Sequence, residues 1–151
     1  MNANFLHFLG TVAVVAVVLT SSAAASVPAQ RYSHPTQDTV YDTKTKLTWQ
    51  RAVASTTYDW AGAKTYCRDL SLNGQGWRVP TIKEMETIVD DSRLDPPAID
   101  PEAFSTPLAG YLWCSSSQAK ATTVYAWVVD VSDGSSYTTY QSEKYYVRCV
   151  R

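Results

Sequence analysis

The stretch Asn73-Gly-Gln-Gly-Trp77-Arg78-Val-Pro80-Thr81-Ile-Lys-Glu84-Met-Glu-Thr-Ile-Val-Asp90 carries the densest set of structural signals in the chain. Two glycines turn the backbone, Pro80 fixes an entry angle, and Thr81 stands three residues before Glu84. That spacing is a capping box. The threonine oxygen accepts from the Glu84 N–H, and the glutamate carboxylate accepts from the Thr81 N–H, so two helix-end donors are satisfied. Ile82, Met85, Ile88 and Val89 then give an apolar face to a helix running toward Asp90. Thr81 and Glu84 thus have a complete structural task. Trp77 is expected at a joint between loop and sheet, and Arg78 beneath the helix, bridging carboxylates or carbonyls. The group Trp77, Arg78, Pro80, Thr81 and Glu84 reads as a corner of the fold rather than a reactive site.

Upstream, Asp59 is positioned as N-cap of an earlier helix, Trp60 to Leu70. Its stripe is Trp60, Ala63, Cys67 and Leu70. Before it, Val40, Leu47 and Trp49 flank Asp42 to Lys46 in a short hairpin, with Lys46 where a glycine would ease the turn. Downstream, Pro96, Pro97, Pro101 and Pro107 punctuate a long ordered loop from Asp90 to Ala109. Strands resume at YLWCSSS (Tyr111–Ser117). TVYAWVVDVSDGSSYTTYQ (Thr123–Gln141) is the clearest hairpin, with Asp133-Gly134 as a two-residue turn. That register sets Ser132 against Ser135, Asp130 against Tyr137 and Trp127 against Tyr140. KYYVRCVR (Lys144–Arg151) alternates as a closing strand. Hairpin, two helices, long loop and antiparallel strands make an α+β domain.

The amino terminus reads differently. Val12 to Leu19 is an uninterrupted apolar run followed by the small residues Ser21 to Ser26. This is the pattern of a secretory signal peptide, residues 1–25, with a cut expected after Ala25 or Ala29. The run is shorter than the roughly 20 residues a membrane span needs, so no integral segment is expected in the mature chain. Residues 26–39 are rich in polar and breaker residues and are expected to form a loose arm. The domain proper is residues 40–151.

Charge and chemistry narrow the function classes. Lys plus Arg number 13 against 14 Asp plus Glu, a net charge of −1. Near-neutrality disfavours nucleic acid as partner. His34 is the one histidine outside the leader, and it lies in the arm, so Ser115, Ser116 and Ser117 have no partner for a Ser–His nucleophile. One histidine and three scattered cysteines show no zinc spacing. Asp130 and Asp133 belong to the hairpin turn rather than a calcium loop, and Asp90, Asp91 and Asp95 read as a solvated loop. No catalytic residue, metal or cofactor is expected. All ten Tyr and all five Trp fall after the leader. Such side chains suit wet cores, interfaces and sugar faces alike.

Seven segments in order, VYDTKTKLTWQR, YDWAGAKTYCRDL, GWRVPTIKEMETIVD, PAIDPEAF, YLWCSSS, YAWVVDVSDGS and YYVRCVR, resemble the Lcl carboxy-terminal domain family of exported bacterial domains. The WRVPT entry and the terminal RCVR are also similar to formylglycine-generating, sulfatase-modifying enzymes. The resemblance implies a C-type-lectin-like fold whose first and last strands pair. It implies a Cys67–Cys149 disulfide and leaves Cys114 as a free thiol, where the family usually has serine. The enzymes hold copper with two close cysteines, and Cys114 has no such neighbour. The expected function is therefore an exported, adhesin-like recognition domain, secreted, periplasmic or at the cell surface. Its expected partner is a glycan or an extracellular protein, and homo-oligomerisation is left open. The alternatives are a copper/thiol oxidoreductase and a structural envelope component. The candidate ligand residues are Tyr137, Asp130, Tyr111 and Trp113. Trp127 shares the Val129 and Val131 face and is assigned to the core, while Tyr137 and Asp130 are assigned to the more solvated face.

Overall fold

The computed structural model describes residues 31–93, 95–104, 110–120 and 123–151. The signal-peptide reading and the first residues of the expected arm lie outside them. Three antiparallel strands form the first sheet: β1 (Tyr32–Thr36), β2 (Thr39–Asp42) and β3 (Thr48–Gln50), in that order. The expected hairpin is β2 and β3, with Val40 opposite Trp49 and Lys46 in the left-handed region at φ 65°. Helices α1 (Trp60–Asp69) and α2 (Ile82–Glu86) follow, then a second antiparallel sheet of β4 (Tyr111–Lys120), β5 (Thr123–Asp130) and β6 (Ser136–Tyr140). The α+β class holds.

Three expectations need correction. Residues 32–36 of the supposed loose arm are strand β1, paired with β2. Long-range anchors hold it, which a count of breaker residues does not register. Arg31 donates to both Asp42 carboxylate oxygens, and Tyr32 packs edge-to-face on Phe104 at 5.4 Å. Helix α2 ends at Glu86, well short of Asp90. The next three residues, Thr87, Ile88 and Val89, are β-branched and give up helix readily, and Val89 instead bridges Ile99.

The third correction is the β5–β6 register. Val128 faces Tyr137, Trp127 faces Thr138 and Tyr125 faces Tyr140. Asp130 N donates to Ser135 O, so the loop is the four residues from Val131 to Gly134. Val131 is pulled out of the ladder and into the core. It is fully buried, its N–H donates to Gly110 O, and its carbonyl accepts from Ala98 N. A two-residue turn would forfeit those bonds.

The centre of the second sheet is buried on both faces. Leu112, Cys114, Val129 and Val131 join a cluster with Trp49, Met85, Ile88 and Phe104. Trp113, Ala126 and Val128 join another with Ala63, Cys67, Trp77 and Val147. This double burial explains why β5 reads as a nearly continuous apolar run. The face bearing Tyr137 and Asp130 is thus buried at Trp113, Ala126 and Val128 and solvated only toward Tyr111 and Tyr137. Tyr137 is exposed because β6 is an edge.

The closing segment joins the parts. Thr48 and Arg151 exchange backbone hydrogen bonds, as do Arg78 and Val150, and Tyr58 and Tyr145, while Trp113 N donates to Tyr146 O. Residues 145–151 therefore contact the first sheet, the Trp77–Val79 segment and β4. Arg148 is wholly buried within this seam. Its Nη1 donates to the Gln50 and Arg51 carbonyls, and its guanidinium lies 4.5 Å from the Phe104 ring centroid. Burial lowers its pKa to about 9.

Candidate functional site

The corner around Trp77 is built as its sequence spells it. Asn73 takes φ 52°, and the Trp77 indole donates to Leu72 O and Gly74 O. Pro80 is buried, and its carbonyl accepts from Ser115 N at 2.7 Å. Glu84 accepts from Thr81 N at 2.8 Å while Thr81 Oγ1 accepts from Glu84 N at 3.2 Å, completing the capping box. Arg78 grips both Glu84 oxygens at 2.7 and 2.6 Å. That bidentate bond, working against partial burial and aided by Thr81, holds the Glu84 carboxyl at about 2. The five residues are consumed by one another.

The cysteines divide as the resemblance implies. Cys67 and Cys149 are bonded, with Cα atoms 5.5 Å apart, and join α1 to the closing segment. Cys114 is free and fully buried. Burial first, then the charges of Glu86 and Glu84, push its thiol pKa strongly up. Only the thiolate is an effective nucleophile or metal ligand, so Cys114 is chemically quiet. Among the described residues no group of three or more His, Cys, Asp or Glu could hold a metal ion. Nor is any helix there long and apolar enough to cross a membrane.

The candidate ligand residues fare unequally. Trp113 is wholly buried, with its indole donating to Tyr58 O at 2.7 Å, so it is a core residue and cannot meet a ligand. Tyr111, Asp130 and Tyr137 do come together. Tyr111 lies directly opposite Asp130 in the β4–β5 ladder. Tyr137, opposite Val128, is the diagonal neighbour of Asp130 on the same face. Tyr111 is 38% and Tyr137 48% exposed.

Tyr145 completes this group and was not singled out from sequence. Its ring packs edge-to-face at 5.2 Å on Trp113 and at 5.2 Å on Tyr111, which in turn meets Tyr137 at 6.2 Å. An aromatic ladder thus climbs from the buried Trp113 to the exposed Tyr137. The alternation of Tyr145, Val147 and Cys149 was the available signal, since it puts Tyr145 on the disulfide side. Asp130 Oδ1 accepts from Ser132 N and Oγ, which fixes the carboxylate at the start of the turn. A second tyrosine pair, Tyr125 with Tyr140 at 5.0 Å, sits on the opposite face. Beside α1 an open groove of about 530 Å³ is lined by Tyr58 and Tyr66, stacked at 5.2 Å, and by Asp69.

Among curated proteins, none matches the chain. The model of one family, the Lcl C-terminal domain, matches residues 38–151. That span takes in both sheets except β1, both helices, the disulfide and the tyrosine ladder. With so much of the chain matched, this protein belongs to the Lcl C-terminal domain family.

Proposed function

We propose that this chain is an exported, non-enzymatic recognition domain that binds a glycan or a protein at the cell surface through Tyr137, Tyr111 and Asp130. The observation that carries the proposal is the ladder's outer end, where two large aromatic side chains stand in solvent beside a fixed carboxylate. Aromatic groups anchored on a rigid sheet lose little freedom on binding, and Tyr is a preferred recognition residue for that reason. The pairing of residues 48–50 with residues 149–151 is in keeping with a C-type-lectin-like fold, which we propose for the domain. The burial of Cys114 weighs against the copper/thiol oxidoreductase alternative.

A glycan array probed with the purified chain and with Tyr137→Ala tests the site. Binding that the substitution removes, at unchanged melting temperature, is the expected result. Equal binding by both proteins would rule out this face. Export is checked by sequencing the amino terminus of secreted material, which should begin at Ser26 or Gln30.

A further inference from the structure

Three observations meet at the outer end of the ladder. The rings of Tyr111 and Tyr137 stand at 80° to each other with centroids 6.2 Å apart, two walls of a corner open to solvent. Tyr145 backs Tyr111 and is itself seated on the buried Trp113, so the inner wall is held in place before any ligand arrives. Asp130 projects from the same face, and its bonds to Ser132 both end on Oδ1, leaving Oδ2 unused by them.

The local field has one sign. Tyr111 has its pKa raised by Asp130 above all, then by desolvation and by Tyr137, Tyr145 and Asp133. The two charges among these that are present at neutral pH are both carboxylates, Asp130 and Asp133. An aromatic face is itself the negative pole of a quadrupole. A sulfate or carboxylate group entering this corner would meet like charge from the acids and the rings together. An uncharged sugar would gain the ring contact but nothing from the carboxylate. A cation gains from both, because ring faces and a nearby acid attract it together.

We propose that the corner formed by Tyr111 and Tyr137 beside Asp130 binds an organic cation, specifically a quaternary or methylated ammonium head group. The proposal rests on the recognition reading above and names the ligand class for the same face. The two rings supply cation–π contact, and Asp130 supplies the counter-charge across the open side. The methyl groups of such a head group are apolar and spread the charge, so they lie against tyrosine with little loss of hydration.

The test is a titration of the purified chain with choline chloride, followed through the tyrosine ring signals in carbon–proton NMR. The control ligand is the uncharged isostere in which carbon replaces the quaternary nitrogen. Choline is expected to shift Tyr111 and Tyr137 with a roughly millimolar Kd, and the isostere to bind about tenfold more weakly. Asp130→Asn keeps the oxygen that accepts from Ser132, and should weaken choline about fivefold or more without altering the fold. Tyr137→Ala should abolish the shifts, and Tyr137→Phe, which keeps the ring face, should retain them. Equal binding of choline and its isostere would overturn the proposal, as would an Asp130→Asn variant that binds choline normally. If choline moves neither ring while an array glycan binds in a Tyr137-dependent way, the cation assignment fails and the recognition reading stands. If neither choline nor any array ligand depends on Tyr137, both fail.

Discussion

Glu84 gathers four donors: Thr81 N, Thr81 Oγ1 and two nitrogens of Arg78. Its pKa falls from 4.5 to about 2, so folding favours the ionised form. A depressed carboxyl pKa gives stability that is fully present above the unfolded value and fades as pH drops through the folded one. Glu84→Ala should therefore cost about 1–2 kcal/mol at pH 7, the sum of a lost cap and a lost surface ion pair. In urea titrations the gap from wild type should narrow below pH 4.5 and close near pH 2. A gap unchanged at low pH would mean that the carboxylate's charge contributes nothing. This residue was readable because its cap partner stands three positions away. Trp113 was misread because its burial is decided by Tyr58 and Tyr145, 55 and 32 positions away, and no local pattern reports them. Arg148 escaped notice for the same reason, since its acceptors are the carbonyls of residues 50 and 51.

At the scale of elements the two hairpins behave differently. The β2–β3 hairpin follows its apolar alternation, and its turn is closed by its own bonds, Asp42 N to Leu47 O and Lys46 N to Asp42 O. The β5–β6 hairpin has a strong local turn signal, yet Ala98 and Gly110 bind Val131 and lengthen the loop to four residues. Asp133-Gly134 still turns the chain, but Gly134 is needed for two reasons, a φ of 81° and a built Cβ only 2.5 Å from Val89 Cγ1. Gly134→Ala should cost at least about 1–2 kcal/mol for the left-handed backbone alone, and more as Val89 is displaced. Gly76→Ala, at φ 90° with no atom within 4 Å of the added carbon, should show only the backbone part. Equal losses in thermal denaturation would mean the Val89 contact relaxes freely. On β5, Trp127 is half-buried against the first core cluster, so Trp127→Ala should lower stability by about 2–3 kcal/mol, below the range for a fully buried tryptophan. Tyr137→Ala, on the edge strand, should cost under about 1 kcal/mol. The reverse order in urea unfolding would invert the division between core and surface on this hairpin.

For the molecule as a whole, the organising element is the last seven residues rather than either sheet. They contact both sheets and carry Cys149, which closes a covalent loop on Cys67 across 82 positions. By the loop-entropy model that link contributes roughly 4.5 kcal/mol, and the double replacement Cys67→Ala, Cys149→Ala should lose up to that amount. Unfolding that is equally easy in both proteins would show that the seam alone holds the halves together. The order of helices and strands was legible from periodicity and turn residues, but the seam was not. Its members make single bridges to four separate partners, Trp49, Tyr58, Arg78 and Leu112, and a short alternating run says nothing about which neighbours it will find. The placement of this seam has a consequence for how the domain comes into being. A ribosome builds the chain from its amino end, so residues 145–151 appear after each of the elements they join. Until Val147, Cys149 and Val150 emerge, Trp49, Ala63 and Trp77 lack those packing partners. A nascent chain stalled before Val147 should leave Trp49 fluorescing as in water, and emergence of residues 147–151 should switch that signal in one step.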